Sequence, residues 1–157
     1  MAISYFAFGS NMLLERIQKR VPSARALGIA TLGGYALCFN KLSKDGSAKA
    51  NIVPSADPRA VVYGVLYHLD EDERSRLDRA EGLGKGYQIR RVRVRRDGAL
   101  TEEEAFTYIA APEAVRDDLP PFRWYKDMVI AGATRNCLPE PYVRQIEAVE
   151  AVDDLDR

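Results

Sequence analysis

The sequence predicts one α+β domain, with a small, strongly curled mixed β-sheet that is nearly a barrel and has helices packed outside it. Segments of strand character follow one another with few crossover helices, which argues against a doubly wound parallel sheet. Gly33-Gly34 interrupts a long strand-like segment, as a bulge or sharp bend would. Asp97-Gly98 is a hairpin signal between two later strands.

Composition limits the classes of function. The 157 residues suit one domain with a sizeable core, and 23 Lys and Arg balance 23 Asp and Glu. This balance predicts neither a nucleic-acid partner nor a membrane partner, and no apolar run approaches the roughly 20 residues of a spanning helix. Because no signal-like stretch begins the chain, we expect a cytoplasmic protein. The single histidine, His68, and two distant cysteines, Cys38 and Cys137, predict packed thiols and no metal site.

The N-terminal segment predicts a buried strand over residues 3–8 and a helix over residues 12–20, joined by a Gly9-Ser10-Asn11 loop. Asn11 suits the helix N-cap. The loop offers free backbone N–H groups and the positive end of a helix dipole, which suit a carboxylate, a phosphate or a developing oxyanion. An ordinary strand–turn–helix with Asn11 as its cap remains the alternative at this point.

The middle of the chain predicts strands over residues 26–40, 50–54 and 61–69. Asp70 and Glu73 resemble a capping box that opens a short helix, with Leu77 as its main apolar contact. A glycine-rich connection over residues 81–86 follows that helix.

The second half predicts a strand over residues 87–96, in which alternate arginines form one solvated face, and a returning strand over residues 104–110. A nucleic-acid role for the arginines is weak because no aromatic residues interleave with them. Helices follow over residues 122–132, with Gly132 as C-cap, and 141–151. A frayed acidic tail over residues 152–157 ends the chain.

Glu81 is the most distinctive candidate for chemistry. The single histidine leaves no convincing Ser-His-Asp or Cys-His arrangement, and the glycines near residue 84 do not follow a strand as a dinucleotide loop requires. Glu81 ends a predicted helix, where the helix dipole disfavours an anion. A carboxyl group shielded from water there could serve as both acid and base. A surface glutamate is the alternative.

Three blocks of sequence carry a resemblance to a known family. They are Tyr5-Phe6-Ala7-Phe8-Gly9-Ser10-Asn11-Met12, then Leu77-Asp78-Arg79-Ala80-Glu81-Gly82 with Tyr87, and then Tyr125 through Gly132-Ala133 and Leu138-Pro139 to Tyr142-Val143. In this order they resemble the γ-glutamylcyclotransferase-like family over about residues 5–150. One departure is Phe8, since the family usually has tyrosine there.

The resemblance implies a β-barrel-like core and a set of site residues. Glu81 corresponds to the catalytic glutamate, and the loop after the first strand cradles the glutamyl end of the substrate. The implied substrate-binding residues are Phe8, Gly9, Ser10, Asn11, Tyr5, Tyr87, Tyr108 and Tyr125. For the tyrosines, simple core packing is the competing explanation.

The implied reaction is the cleavage of a γ-glutamyl amide to 5-oxoproline and a free amine or amino acid, with Glu81 as general acid and base. The substrate's own α-amine is the nucleophile, so neither a metal nor an organic cofactor is required. The expected partner is a small-molecule γ-glutamyl substrate, and a homodimer stays open. The alternative is a non-catalytic small-molecule-binding or interaction protein that kept the fold.

Overall fold

Five of seven strands close into a β-barrel in the computed structural model, which describes residues 1–157. The strands are β1 (Ala2–Ala7), β2 (Arg25–Gly33), β3 (Tyr35–Leu42), β4 (Ala48–Pro54), β5 (Val61–Asp70), β6 (Tyr87–Arg96) and β7 (Glu103–Ala110). Around the barrel their order is β1, β5, β2, β6 and β7, while β3 and β4 form a separate two-stranded sheet. The predicted curled mixed sheet is therefore confirmed.

The barrel closes through its only parallel pair, β1 with β7, at Tyr5 and Phe106. The other barrel pairs are antiparallel. Gly34, with φ of +82°, turns the chain out of β2 and into β3, so the predicted bend at Gly33-Gly34 separates two sheets. Since β1 lies between β5 and β7, the loop that follows it is held next to elements from the middle of the chain.

Four helices pack outside the barrel. They are α1 (Leu14–Arg20), α2 (Arg74–Glu81), α3 (Arg123–Arg135) and α4 (Glu140–Glu147), with 3-10 turns at Ser10–Met12, Glu71–Glu73 and Pro112–Ala114. None of them combines the length and the apolar character that crossing a membrane requires.

The alternation of apolar and charged residues along the strands determines which side chains form the core. In β6, Val92 and Val94 are buried while Arg91, Arg93 and Arg95 are exposed, as the period-two pattern predicts. The fully buried side chains of β1, β5 and α2 fill the same core.

Two predicted helix caps are wrong. Asn11 makes no capping hydrogen bond, since it lies inside the Ser10–Met12 turn and its side chain points to other partners. Asp70 does not cap α2 either, and the Glu73 carboxylate accepts the backbone N–H of Ser23 at 2.8 Å. In both cases a distant partner replaces the local one that the motif implies.

Two further corrections concern the C-terminal part. Gly132 lies within α3, where a Cβ atom would come within 2.7 Å of Met12 Cβ, so this glycine allows close packing rather than ending the helix. The predicted frayed tail is exposed at most of its residues, but it is attached to the fold at two points, because Val152 pairs with Phe122 and the Trp124 indole donates to Asp154 at 3.1 Å.

Candidate active site

A small cavity of about 30 Å³ lies where the loop after β1 meets the end of α2. The structure brings all nine site residues predicted from the sequence to its wall, together with Ala50. They are Tyr5, Phe8, Gly9, Ser10, Asn11, Glu81, Tyr87, Tyr108 and Tyr125. These residues come from β1, the loop, α2, β6, β7 and α3, so only the closed fold assembles them.

Glu81 is the last residue of α2, and only one oxygen of its carboxylate accepts hydrogen bonds within the chain. The next residue, Gly82, has φ of +68° and ends the helix. Oε1 accepts Asn11 Nδ2 at 2.6 Å and Arg20 Nη1 at 3.0 Å, whereas Oε2 accepts no hydrogen bond. The side chain is 16% exposed. One carboxylate oxygen is therefore anchored, and the other has no hydrogen-bond partner within the chain.

Asn11 connects the loop to this carboxylate. The residue is 3% exposed, and its Nδ2 group also donates to the Tyr5 hydroxyl at 3.1 Å. Its Oδ1 atom accepts from Arg20 Nη1 at 3.0 Å. Arg20 thus touches both Asn11 and Glu81, and it supplies the positive charge that the end of α2 lacks.

The loop presents unused backbone donors. The N–H groups of Gly9, Ser10 and Asn11 donate no hydrogen bond within the chain, while the turn closes through Met12 N to Gly9 O at 3.1 Å. Arg16 Nε donates to Ser10 Oγ at 3.0 Å and fixes that side chain. Successive free N–H groups of this kind can bind a carboxylate or an oxyanion.

Tyr87 and Tyr125 hold one residue of β4 between them. The Tyr87 hydroxyl donates to Ala50 O at 2.7 Å, and Ala50 N donates to the Tyr125 hydroxyl at 3.0 Å. Burial raises the pKa of both tyrosines. Their hydroxyls are therefore neutral groups committed to the backbone, and their rings form walls of the cavity.

Tyr108 and Phe8 complete the lining. The Tyr108 hydroxyl donates to Asp78 Oδ1 at 2.5 Å, and burial followed by this hydrogen bond raises its pKa. Phe8 is a buried apolar wall with its ring 6.4 Å from that of Phe6.

Three other residues considered in the sequence lie outside this cavity. His68 is half-buried in β5 and contacts Arg25. Burial raises the pKa of the Cys38 thiol to about 11, which makes it a poor nucleophile. Cys137 is exposed, so the prediction that both thiols are packed is wrong for Cys137.

Sequence reasoning missed Arg20 and Ala50. Arg20 is an ordinary residue of the last turn of α1, and its contact with Glu81 spans 61 positions. Ala50 acts only through its backbone. No local pattern marks either residue as part of the site.

The arrangement suits a substrate that carries its own nucleophile. It offers a carboxylate with one free oxygen, unused backbone donors and rigid aromatic walls, but no nucleophile–base pair. Such a site can fold a flexible chain, move protons and stabilise an oxyanion.

Comparisons with known proteins agree with these features. Residues 61–146 match the AIG2-like family. The chain is 32% identical to gamma-glutamylcyclotransferase of Mus musculus over 152 residues, which cover 93% of this chain and 78% of that protein. It is also 32% identical to gamma-glutamylcyclotransferase of Homo sapiens over 155 residues, which cover 95% and 79% of the two chains.

Comparison of the fold with solved structures agrees with the comparison of sequences. A solved structure of a gamma-glutamyl cyclotransferase superposes with a TM-score of 0.89 at 29% sequence identity, and the match covers 100% of this chain and 93% of the other. The similarity therefore includes the barrel, the loop and the helices that carry the site.

Proposed function

Since this chain belongs to the gamma-glutamylcyclotransferase family, within the AIG2-like proteins, it is an enzyme, and we propose that it converts a γ-glutamyl amide to 5-oxoproline and a free amine, with Glu81 moving the protons. The observation that carries the proposed role is the asymmetry of the Glu81 carboxylate. Oε1 is bound by Asn11 and Arg20, whereas Oε2 is unengaged.

The reaction is an internal displacement. The substrate's α-amine attacks its own γ-carbonyl carbon, the new C–N bond closes a five-membered ring, and the original amide C–N bond breaks. The α-ammonium must first lose a proton, and the departing nitrogen must gain one. Glu81 Oε2 accepts the first proton and returns one to the leaving nitrogen, so a single carboxyl group serves both steps.

The loop after β1 holds negative charge in this proposal. The free N–H groups of Gly9, Ser10 and Asn11 support binding of the substrate α-carboxylate or of the oxyanion that forms on the γ-carbonyl oxygen. The aromatic walls of Tyr5, Phe8 and Tyr87 keep the glutamyl chain folded, which contributes by orientation. No other nucleophile is required, because the substrate supplies it.

The direct test uses the purified protein with γ-glutamyl dipeptides. We expect stoichiometric release of 5-oxoproline and the free amino acid, measured by chromatography. Release of glutamate in place of 5-oxoproline would instead indicate hydrolysis by water. Binding without turnover would favour the non-catalytic alternative and overturn the proposal.

The remaining expectations from the sequence extend the proposal. We propose that the chain is one domain, that it works in the cytoplasm without a cofactor, and that it has no nucleic-acid or membrane partner. The balance of 23 basic and 23 acidic residues supports the absence of a polyanionic partner.

A further inference from the structure

A second cavity, larger than the active-site cavity, lies between β3, the start of β5 and α4. Its volume is about 530 Å³, and it shares no lining residue with the active-site cavity. Most of its lining residues are hydrophobic. Small-molecule sites in proteins typically measure roughly 300–1,000 Å³ and are mostly apolar. The cavity therefore has the size and the character of a small-molecule site that is separate from the candidate active site.

The cavity borders the free edge of β3. Ala36, Leu37 and Phe39 line it, whereas no residue of β4 does. Ala36 and Leu37 are consecutive, so their side chains lie on opposite faces of the sheet, and a cavity that contacts both lies at the edge of the strand. β3 forms a two-stranded sheet with β4 alone, so no strand of the barrel pairs with its other edge.

This edge presents unused backbone donors and acceptors. Ala50 N donates to the Tyr125 hydroxyl and therefore points away from β3, so Ala50 and Phe39 form a pair without hydrogen bonds between them. Leu37, two residues earlier and opposite Ile52, has the same orientation. The N–H and C=O groups of Leu37 and Phe39 consequently point away from β4, and they make no other hydrogen bond within the chain.

The open part of the edge is short because the chain itself closes both ends of it. Gly34 N donates to Ala60 O at 3.1 Å at one end, and Arg116 N donates to Asn40 O at 2.7 Å at the other. Gly34 and Asn40 are six positions apart, which corresponds to about 20 Å of extended strand. A long strand or the edge of a second copy would collide with these closures, whereas a short ligand fits between them.

The charges of the lining indicate an uncharged ligand. Asp57 and Arg59 are the only charged residues that line the cavity, and they face one another with Arg59 Nε 3.5 Å from Asp57 Oδ1. The two charges offset each other, so the cavity offers no excess charge to an ion. Its polar groups are instead the neutral ones of the β3 backbone.

The wall that α4 contributes contains a further unpaired group. Tyr142 lines the cavity and is 7% exposed, and its ring lies edge-on to that of Tyr63 at 5.0 Å between ring centres. Its hydroxyl makes no hydrogen bond within the chain, although the Tyr63 backbone lies near enough to affect its pKa, which burial raises. Buried polar groups nearly always have a partner. The absence of one here indicates that the chain alone does not complete this wall.

We propose that this cavity binds a short, uncharged amide that pairs with the free edge of β3 and places an apolar group against α4. The ligand's C=O accepts a hydrogen bond from an N–H group of Leu37 or Phe39, and its N–H donates to a C=O group of the same edge, as an added strand does. The proposal goes beyond the proposed function, because it requires neither Glu81 nor the cleavage of a γ-glutamyl amide.

The test compares two probes that differ only in their N–H groups. N-acetylphenylalanine methylamide is uncharged and has two secondary amides beside an apolar ring. It has neither a free α-amine nor a γ-glutamyl group, so it is not a substrate of the proposed reaction. The control probe is the same compound with both amide nitrogens methylated. We expect saturable binding of the first probe with a Kd of about 1 mM or tighter, and at least about tenfold weaker binding of the control.

Nuclear magnetic resonance of the 15N-labelled chain locates the probe. The backbone amide signals of Leu37 and Phe39 should shift most as the probe is added, because their N–H groups gain an acceptor. The signals of Gly9, Ser10 and Asn11 should shift little. The largest shifts at that loop would place the probe in the active-site cavity and would overturn the proposal.

Two substitutions at one position separate the backbone from the side chain. Leu37→Pro removes an N–H group that takes no part in the pairing with β4, and proline is tolerated where the N–H of an edge strand points outward. Leu37→Ala keeps the N–H group and shortens the same side chain. We expect Leu37→Pro to bind the probe at least about tenfold more weakly than Leu37→Ala. Circular dichroism checks the folding of both variants, and the methylated probe decides the question if Leu37→Pro does not fold.

Val149→Trp provides an independent test, because Val149 is a half-buried residue of the lining and a larger side chain there would fill the cavity. We expect this variant to lose most of its affinity for the probe. Equal binding of the two probes, or equal binding by folded Leu37→Pro and Leu37→Ala proteins, would overturn the proposal. Failure of the proposed function would appear instead as absent 5-oxoproline release, which leaves these binding measurements unaffected.

Discussion

Arg20 and Glu81 form an ion pair of 3.0 Å between Nη1 and Oε1, and the same guanidinium nitrogen also reaches Asn11 Oδ1 at 3.0 Å. Asn11 in turn donates to the same oxygen of Glu81 at 2.6 Å. The three side chains form a closed triangle in which each touches the other two. This triangle fixes the rotamer of Glu81, which would otherwise be a flexible side chain at a helix end.

Replacing Glu81 should reduce turnover strongly without unfolding the protein. Glu81→Gln keeps the shape and can still accept from Asn11, but it cannot take a proton, so kcat should fall by about 10²- to 10⁴-fold. Glu81→Asp moves the carboxyl group back by one methylene, and its kcat should also fall strongly because the orientation of the carboxyl group changes. The measurement is 5-oxoproline release at saturating substrate, with circular dichroism to check folding.

Glu147→Gln is the matched control, since Glu147 is an exposed residue of α4 and should be silent. Glu73 is less suitable because it accepts the backbone N–H of Ser23. A folded Glu81→Gln protein with near wild-type turnover would remove Glu81 from the mechanism.

Arg20→Met should reduce kcat while the fold persists. Arg20 is a positioning residue, and loss of a hydrogen bond to a charged group costs about 1.5–3 kcal/mol, or roughly 10- to 100-fold. Arg20→Lys should recover part of this loss because it restores the charge without the planar geometry. Steady-state kinetics of the two variants would separate charge from geometry. Equal activity of Arg20→Met and wild type would show that Glu81 needs no support.

The tyrosines around Ala50 should contribute mainly to stability. Tyr87→Phe leaves Ala50 O without its donor, and Tyr125→Phe leaves Ala50 N without its acceptor. Each buried unsatisfied group costs about 1–3 kcal/mol. Urea unfolding should report this loss, with Tyr63→Phe as control because the Tyr63 hydroxyl makes no hydrogen bond within the chain. A large fall in kcat with unchanged stability would instead give these hydroxyls a direct catalytic role.

Gly132→Ala should destabilise the protein, although alanine normally favours a helix over glycine by about 1 kcal/mol. The new Cβ would meet Met12 Cβ at 2.7 Å and the Met12 backbone carbon at 3.1 Å. Overpacking of this kind costs about 1–3 kcal/mol and would displace the loop that carries Asn11. Gly33→Ala is the control, since nothing lies within 4 Å of its added carbon. Denaturant unfolding and turnover should both fall for Gly132→Ala alone.

Alkaline pH should unfold the protein through its tyrosines. Burial raises the pKa of six of the eight, namely Tyr5, Tyr67, Tyr87, Tyr108, Tyr125 and Tyr142. In the unfolded chain their pKa is about 10, so the folded state binds more protons above that pH. The stability that they contribute is complete below about pH 10 and is lost as pH rises further.

An alkaline titration in which tyrosinate absorbance and circular dichroism are recorded together tests this prediction of alkaline unfolding. We expect most of the absorbance change to coincide with unfolding. Ionisation of six tyrosines near pH 10 with the circular dichroism intact would contradict the burial of these hydroxyls.

The sequence by itself predicted the local elements, and its resemblance to a known family indicated most of the residues that line the cavity. Period-two alternation in β6 and the glycine turns depend only on neighbouring residues, and they predicted the strands and the curled sheet correctly. Glu81 stood out because a carboxylate at a helix end conflicts with the helix dipole. Such conflicts between local preference and sequence are typical of functional sites.

Only the tertiary structure decided which side chains meet. Asn11 stands at a position where the sequence predicts a helix cap, yet its side chain donates to Glu81. The closed fold brings this charged and therefore stronger acceptor, 70 positions away in the sequence, next to Asn11. The ion pair between Arg20 and Glu81 arises in the same way. A hydrogen bond depends on distances of a few ångströms, and local patterns carry no information about which distant segment the closed barrel places there.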